Sequence, residues 1–259
     1  MEGDRGCALG RIEQMIRYAH WNSQGRGIVI GISGGVDSAV AAAFCCRAVG
    51  PEKVLGITLP ASVTRQEDMD DAENLSNVLG ITHMVINIDP ILEGYRTLPG
   101  YTDTPYLSGN LMARTRMAVL YYYANKDNRL VCGTSNRTEY LLGYCTKFGD
   151  NASDIQPLLH LYKTEIFDIA PDLGIPDAII RKPPSAGLWQ GQSDESEIGL
   201  SYPDIDAALT ALEKNRWQAT TPVQEKVLQM VKKASIKEYQ LQIFIPGSKW
   251  PGCNPAAHS

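Results

Sequence analysis

Residues 31–38 read GISGGVDS and follow directly on the apolar run GIVI. Ser33, Gly34, Gly35 and Ser38 offer backbone N–H groups and hydroxyls where a strand hands over to a helix. A helix start of that composition is an anion site in its own right. Loops of the form GxxxxGK[ST] add a lysine that reaches the β and γ phosphates of a nucleotide, and here that lysine is missing. Asp37 is the unexpected member, because a carboxylate repels phosphate unless a cation lies between them. A hard oxygen donor beside a bound nucleotide points to Mg²⁺. The plainer alternative is a tight turn in which Asp37 favours the positive end of the following helix.

A second candidate is Glu139 in GTSNRTE, just after the apolar run RLVC; its plain alternative is an exposed acid opening a helix. Arg116, two residues beyond Arg114 in NLMARTRM, serves either a phosphate or a surface ion pair. The run Tyr121, Tyr122, Tyr123 reads as packing, since three adjacent residues on a helix point in different directions. The six cysteines form no C-x-x-C pair and no spacing suited to zinc, and Cys45, Cys46 and Cys132 read as small core residues.

These residues need a frame. RGIVIGIS, KVLGITLP, HMVINI and RLVCGTS read as four buried strands. Helices are expected over CALGRIEQMIRYAHW, DSAVAAAFCCRAVG, TRQEDMDDAENLSNVLG, NLMARTRMAVLYYYANK and YKTEIFDIAPDLG, and over IDAALTALEK and PVQEKVLQMVKKA near the end. Residues 89–108 read as a turn-rich stretch, and residues 182–204 as a long surface loop. Alternating strands and helices predict an α/β fold, a parallel sheet flanked by helices on both faces, with ligands beyond the carboxyl ends of the strands. Residues 31–38 and 133–139 both fall on that edge.

Composition bounds the function. The 259 residues are 44% hydrophobic and 20% charged, with a net charge of −5, which argues against broad binding to nucleic acid. No apolar stretch approaches the ~20 residues needed to cross a bilayer. The amino terminus lacks the apolar core of a secretory signal, so a cytoplasmic location is expected.

The stretch SGGVDS resembles the signature of the ATP-pyrophosphatase (PP-loop) enzymes, which split ATP between the α and β phosphates. Three further blocks, GNLMARTRM, VCGTSNRTEYLLGYCTKFGDNASDIQPLLHLYKTEI and RKPPSAGLWQGQSDESEIGLSY, are similar to ammonia-dependent NAD synthetase, over most of the chain up to about Pro222. That resemblance implies an adenine nucleotide alpha hydrolase-like, Rossmann-like fold. It also implies ATP-dependent amidation of deamido-NAD with ammonia through an adenylated substrate, giving NAD, AMP and diphosphate. The missing lysine then makes sense, because the loop would hold the departing diphosphate.

Residue by residue, the resemblance implies that Gly31, Ile32, Ser33, Gly34, Gly35, Val36, Asp37 and Ser38 bind ATP, together with Thr134, Lys163 and Ser185. It implies that Asp37 and Glu139 hold Mg²⁺, and that Asp37, Lys163 and Thr134 act in the reaction. Arg114, Lys147 and Asp154 would contact deamido-NAD. Family members commonly carry a His-Lys pair near the carboxyl end that touches deamido-NAD; here KKASIKEYQLQIF offers Lys237 for that contact without a histidine.

The resemblance further implies a homodimer. A single synthetase domain over residues 1–259 is expected, with no room for a glutaminase domain, and residues 247–259 are expected to be disordered. Two rival readings are a PP-loop ligase acting on tRNA or forming GMP, and a nucleotide-binding sensor that has lost catalysis. Neither the basic face nor the cysteine arrangement of the first is present, and Asp37, Thr134, Glu139 and Lys163 speak against the second.

Overall fold

The computed structural model describes residues 2–189 and 191–234, with side chains from residue 9 onward. Lys237 and residues 247–259 lie outside the described residues.

Four parallel strands form one sheet: β1 (Gly27–Gly31), β2 (Val54–Thr58), β3 (Thr82–Val85) and β4 (Arg129–Cys132), in the order β3-β2-β1-β4. In the register, Ile28 lies opposite both Val54 and Leu130. Alternate residues of β1 serve opposite faces, as the two-residue period of a strand requires. Ile28 and Ile30 join a core built with α1 (Glu2–Ser23), α2 (Val36–Val49), α3 (Gln66–Leu79), α7 (Lys163–Ile169) and α8 (Asp177–Ile180). Val29 joins a second core on the other face, with α5 (Pro105–Asp127) and Ile88, which precedes α4 (Asp89–Tyr95). Helices therefore cover both faces, as expected. The alanines 39, 41, 42 and 43 of α2 are buried, and their small side chains suit a helix laid close on the sheet.

A third apolar cluster lies beside this sandwich. Leu142 of α6 (Arg137–Leu142) and Ile198 of α9 (Asp194–Ile198) meet Ile205, Leu209 and Leu212 of α10 (Tyr202–Lys214) and Val227 of α11 (Pro222–Ala234).

Three expectations are corrected. Residues 89–108 are not all turn, since Pro90 sits in the first turn of α4, where its missing N–H costs nothing. The long loop after Lys182 contains α9, whose first residue, Asp194, is buried. The strand expected over HMVINI is shorter and lies on the sheet edge, leaving Val85 59% exposed. Cys45 and Cys132 are core residues as read, whereas Cys46 is half-buried.

Candidate functional site

β1 has β2 on one side and β4 on the other, so the strand order reverses at its carboxyl end. Ligands of open parallel sheets sit in the crevice at such a reversal. A cavity of about 460 Å³ opens there. Its wall includes Gly31, Ile32, Ser33, Gly35, Val36, Asp37 and Ser38 from the loop after β1, with Thr134 and Glu139 after β4, Lys163 at the start of α7, and Ser185.

The loop is held in shape by its own hydroxyls. Ser38 Oγ accepts from Ser33 N at 3.2 Å and donates to Gly35 O at 2.9 Å, and Gly35 N donates to Ser33 Oγ at 3.2 Å. Gly34 has φ +77°, and a Cβ there would lie 2.3 Å from Asp68 O. Glycine is needed at this point both for the left-handed backbone and for the approach of α3. On the far side, Lys182 Nζ donates to Gly34 O at 3.3 Å and to Asp68 Oδ1 at 2.9 Å, and also pairs with Asp71.

At the mouth of the loop three charged groups meet. Lys163 Nζ pairs with Asp37 Oδ2 and lies 3.6 Å from Glu139 Oε1, with its side chain only 3% exposed. Burial would pull this ammonium down, but Asp37 and Glu139 outweigh it and hold it above its ordinary value. Burial, with Asp37 adding to it, pushes the Glu139 carboxyl up to about 8. Asn136, fully buried, donates Nδ2 to Asp37 Oδ1 at 3.0 Å and caps α6 by accepting from Glu139 N at 2.9 Å. Glu139 Oε2 accepts in return from Asn136 N at 3.4 Å, completing a capping box. Glu139 thus does open a helix, as its plain alternative held, but its carboxylate also faces Asp37 and Lys163.

Nothing in the sequence marked Asp194, which lines the same cavity. It accepts from Tyr144 OH at 3.1 Å, Tyr202 OH at 3.0 Å and Ala186 N at 2.9 Å, tying Ala186 to α10 and to the segment after α6. Ser185 Oγ donates to Gln192 O at 2.8 Å within that segment. A Cβ at Gly133 would meet Gln156 Oε1 and Ser153 Oγ at 2.5 Å, so glycine there leaves room for those two side chains.

Arg114, Lys147 and Asp154 do not line this cavity. Arg114 is exposed and donates Nε and Nη2 to Lys147 O at 3.3 and 3.2 Å. Lys147 Nζ lies 5.1 Å from the centroid of the Phe148 ring, and Phe148 is exposed. Asp154 accepts from Val131 N at 2.7 Å and from Tyr121 OH at 3.3 Å. The structure joins Arg114 to Lys147 in an outer patch and gives Asp154 an anchoring contact at the end of β4. Among the described residues, no helix is long and apolar enough to cross a membrane, and no group of three His, Cys, Asp or Glu is placed to hold a metal ion.

Comparison with known proteins follows this geometry. The model of the NAD synthase family matches residues 8–242. The NH(3)-dependent NAD(+) synthetase of Methanoregula boonei is 64% identical over 228 residues, which are 88% of this chain and 92% of the relative. That of Thermococcus kodakarensis is 52% identical, over 81% of this chain and 82% of the relative. Two solved structures superpose over 93% of this chain and 98% of their own. One is the NMN synthetase of Francisella tularensis, with 36% identity and TM-score 0.83. The other is the NH3-dependent NAD synthetase of Campylobacter jejuni, determined with a nitrate ion, with 32% identity and TM-score 0.80.

Proposed function

The chain belongs to the NAD synthase family, and we propose that its cavity carries out the ATP-dependent amidation of deamido-NAD with ammonia, giving NAD, AMP and diphosphate. The observation that carries this reading is the meeting of Asp37, Glu139 and Lys163 at the mouth of the loop over residues 31–38. A carboxylate is a poor acyl donor at neutral pH. Attack of the deamido-NAD carboxylate on the α-phosphate turns it into an acyl-adenylate and releases diphosphate; ammonia then displaces AMP.

The protein's part is to position the reactants and neutralise charge. Ser33, Gly35 and Ser38 would turn donors that they now spend on one another toward the phosphates, with Gly34 shaping the turn between them, and Thr134 and Ser185 would add hydroxyls from elsewhere in the cavity wall. Lys163 supplies the point charge that the loop lacks. Its partners are two carboxylates, so an arriving polyphosphate can draw the ammonium toward itself.

Two carboxylates whose oxygens converge on one cation, with phosphate oxygens to complete the shell, suit Mg²⁺. Asp37 and Glu139 would hold it, and the ion would screen the charge on the phosphates. Arg114 and Lys147 are assigned to deamido-NAD on the outer patch, with Asp154 as a further candidate beside β4, and we propose that a second subunit in a homodimer completes this site. A single synthetase domain in the cytoplasm belongs to the same reading.

The test is AMP and NAD formation by the purified protein with ATP and Mg²⁺, comparing deamido-NAD with nicotinate mononucleotide and ammonium with glutamine. NAD and AMP appearing one for one with deamido-NAD and ammonium supports the reading. Turnover confined to the mononucleotide would move the substrate to the one suggested by the Francisella enzyme's name.

A further inference from the structure

Arg114 and Arg116 stand two residues apart on α5 and, at about 100° per residue, point to opposite sides of it. Arg114 is exposed and bound to the Lys147 carbonyl, while Arg116 lies in the wall of the cavity. We propose that Arg116 binds the AMP portion of ATP and keeps hold of it in the acyl-adenylate after diphosphate has left. This rests on the reading of the cavity as the ATP site.

Arg116 Nε donates to Leu59 O at 3.0 Å, the carbonyl just beyond β2. The Asp150 carboxylate, which lines the same cavity, acts on it through its charge. A guanidinium has five N–H donors in a planar fork, so fixing Nε on Leu59 leaves both terminal amino groups for an acceptor. Burial pushes the group down to about 10, with Asp150 pulling the other way. Asp150 Oδ1 itself accepts from Thr146 N at 2.7 Å. A desolvated arginine kept only for structure is ordinarily paired with a carboxylate. This one lies in the wall of the cavity read as the ATP site, with Asp150 in the same wall.

Position on the wall selects the part of the ligand. Asp37, Glu139, Lys163 and the loop after β1 account for the diphosphate end. Around Arg116 the lining turns apolar, with Leu59, Val63, Met117 and Leu120, which suits a base and ribose. Held on Leu59 just beyond β2, a guanidinium in this wall would meet the α-phosphate and the ribose oxygens, both of which AMP retains.

The experiment is calorimetric titration of the full-length chain and its R116K and R116Q variants with ATP, AMP and inorganic diphosphate, each with Mg²⁺, alongside thermal melts. R116Q is expected to weaken ATP and AMP by about 10- to 100-fold, the factor carried by charge-assisted hydrogen bonds, while diphosphate binding changes by less than about 2-fold. R116K should recover only part of the loss, because an ammonium cannot reproduce the fork. It also decides the matter if R116Q does not fold. KM for ATP should rise in both variants. Unchanged AMP affinity, or equal losses for AMP and diphosphate with a lowered melting temperature, would overturn the assignment. Wild-type protein that bound neither ATP nor AMP would instead overturn the nucleotide reading, and this proposal with it.

Discussion

Asn136 and Asp37, 99 residues apart in the chain, are joined by a 3.0 Å hydrogen bond from the Asn136 amide to Asp37 Oδ1. The other end of the same amide caps α6 at Glu139 N. One buried side chain therefore sets the spacing of the two carboxylates that face Lys163. Asn136→Ala removes a helix cap, at a cost of about 1 kcal/mol, and frees Asp37 to turn. The expected result is a melting temperature lower by about 2–4 °C and a turnover loss larger than that destabilisation explains. Lowered stability with full turnover of the folded protein would show that the amide is a cap and nothing more.

Lys163 occupies the point on which Asp37 and Glu139 converge. If Asp37 and Glu139 hold a divalent ion as proposed, the ammonium and that ion would compete for the same oxygens in the absence of nucleotide. Lys163→Gln leaves the two acids without their cation, and breaking a buried pair costs about 3–5 kcal/mol. Mn²⁺ without ATP should then raise the melting temperature of this variant more than that of the wild type, while amidation is lost. Equal Mn²⁺ shifts in both proteins would show that the ion binds elsewhere.

Much of this site could be read along the chain, and the unread part shares one physical cause. Residues 31–38 are contiguous, and their glycines and hydroxyls act on neighbours a few positions away, so the loop is visible in a short window. β1 and β2 are buried along almost their whole length and read as plain apolar runs. β3 lies at the edge and lacks that burial, which is why its extent was overestimated. Asp194 went unnoticed because its partners Tyr144, Ala186 and Tyr202 come from three separate segments. Lys182 joins two acids of α3 from more than 100 residues away. Contacts of that kind have no periodicity and appear only once the sheet brings the segments together.

Gly34 is the position where the backbone leaves least freedom. Its φ of +77° and the 2.3 Å approach of a built Cβ to Asp68 O leave no room for alanine. An L-residue in that region costs roughly 1–2 kcal/mol before any clash, and the obstacle here is backbone, which cannot rotate away. Gly34→Ala should lower stability in denaturant by at least that amount. It should also raise KM for ATP, because relief of the clash moves α3 or the loop. A variant with wild-type KM and stability would show that the loop accommodates a side chain.

Acid sensitivity supplies a prediction from the edge strand β3, whose His83 meets Thr58 of the cavity wall. Burial lowers the His83 pKa from its ordinary 6.5, with Glu73 opposing. Thr58 Oγ1 donates to Ile32 O at 2.9 Å, so at the 2.8 Å contact His83 Nε2 must be the donor. A histidine with a lowered folded pKa binds fewer protons folded than unfolded. Its contribution to stability is therefore full above about 6.5 and is lost as pH falls through that value toward the folded pKa. Glu139 works in the opposite sense, since its raised pKa favours the folded state as pH falls from about 8. The raw trend mixes the two, and the difference between wild type and His83→Gln separates them. Glutamine keeps a donor for Thr58 and does not titrate, so between pH 7.5 and 5.5 the variant should gain stability relative to the wild type. Melting curves that stay parallel over that range would remove His83 from the acid response.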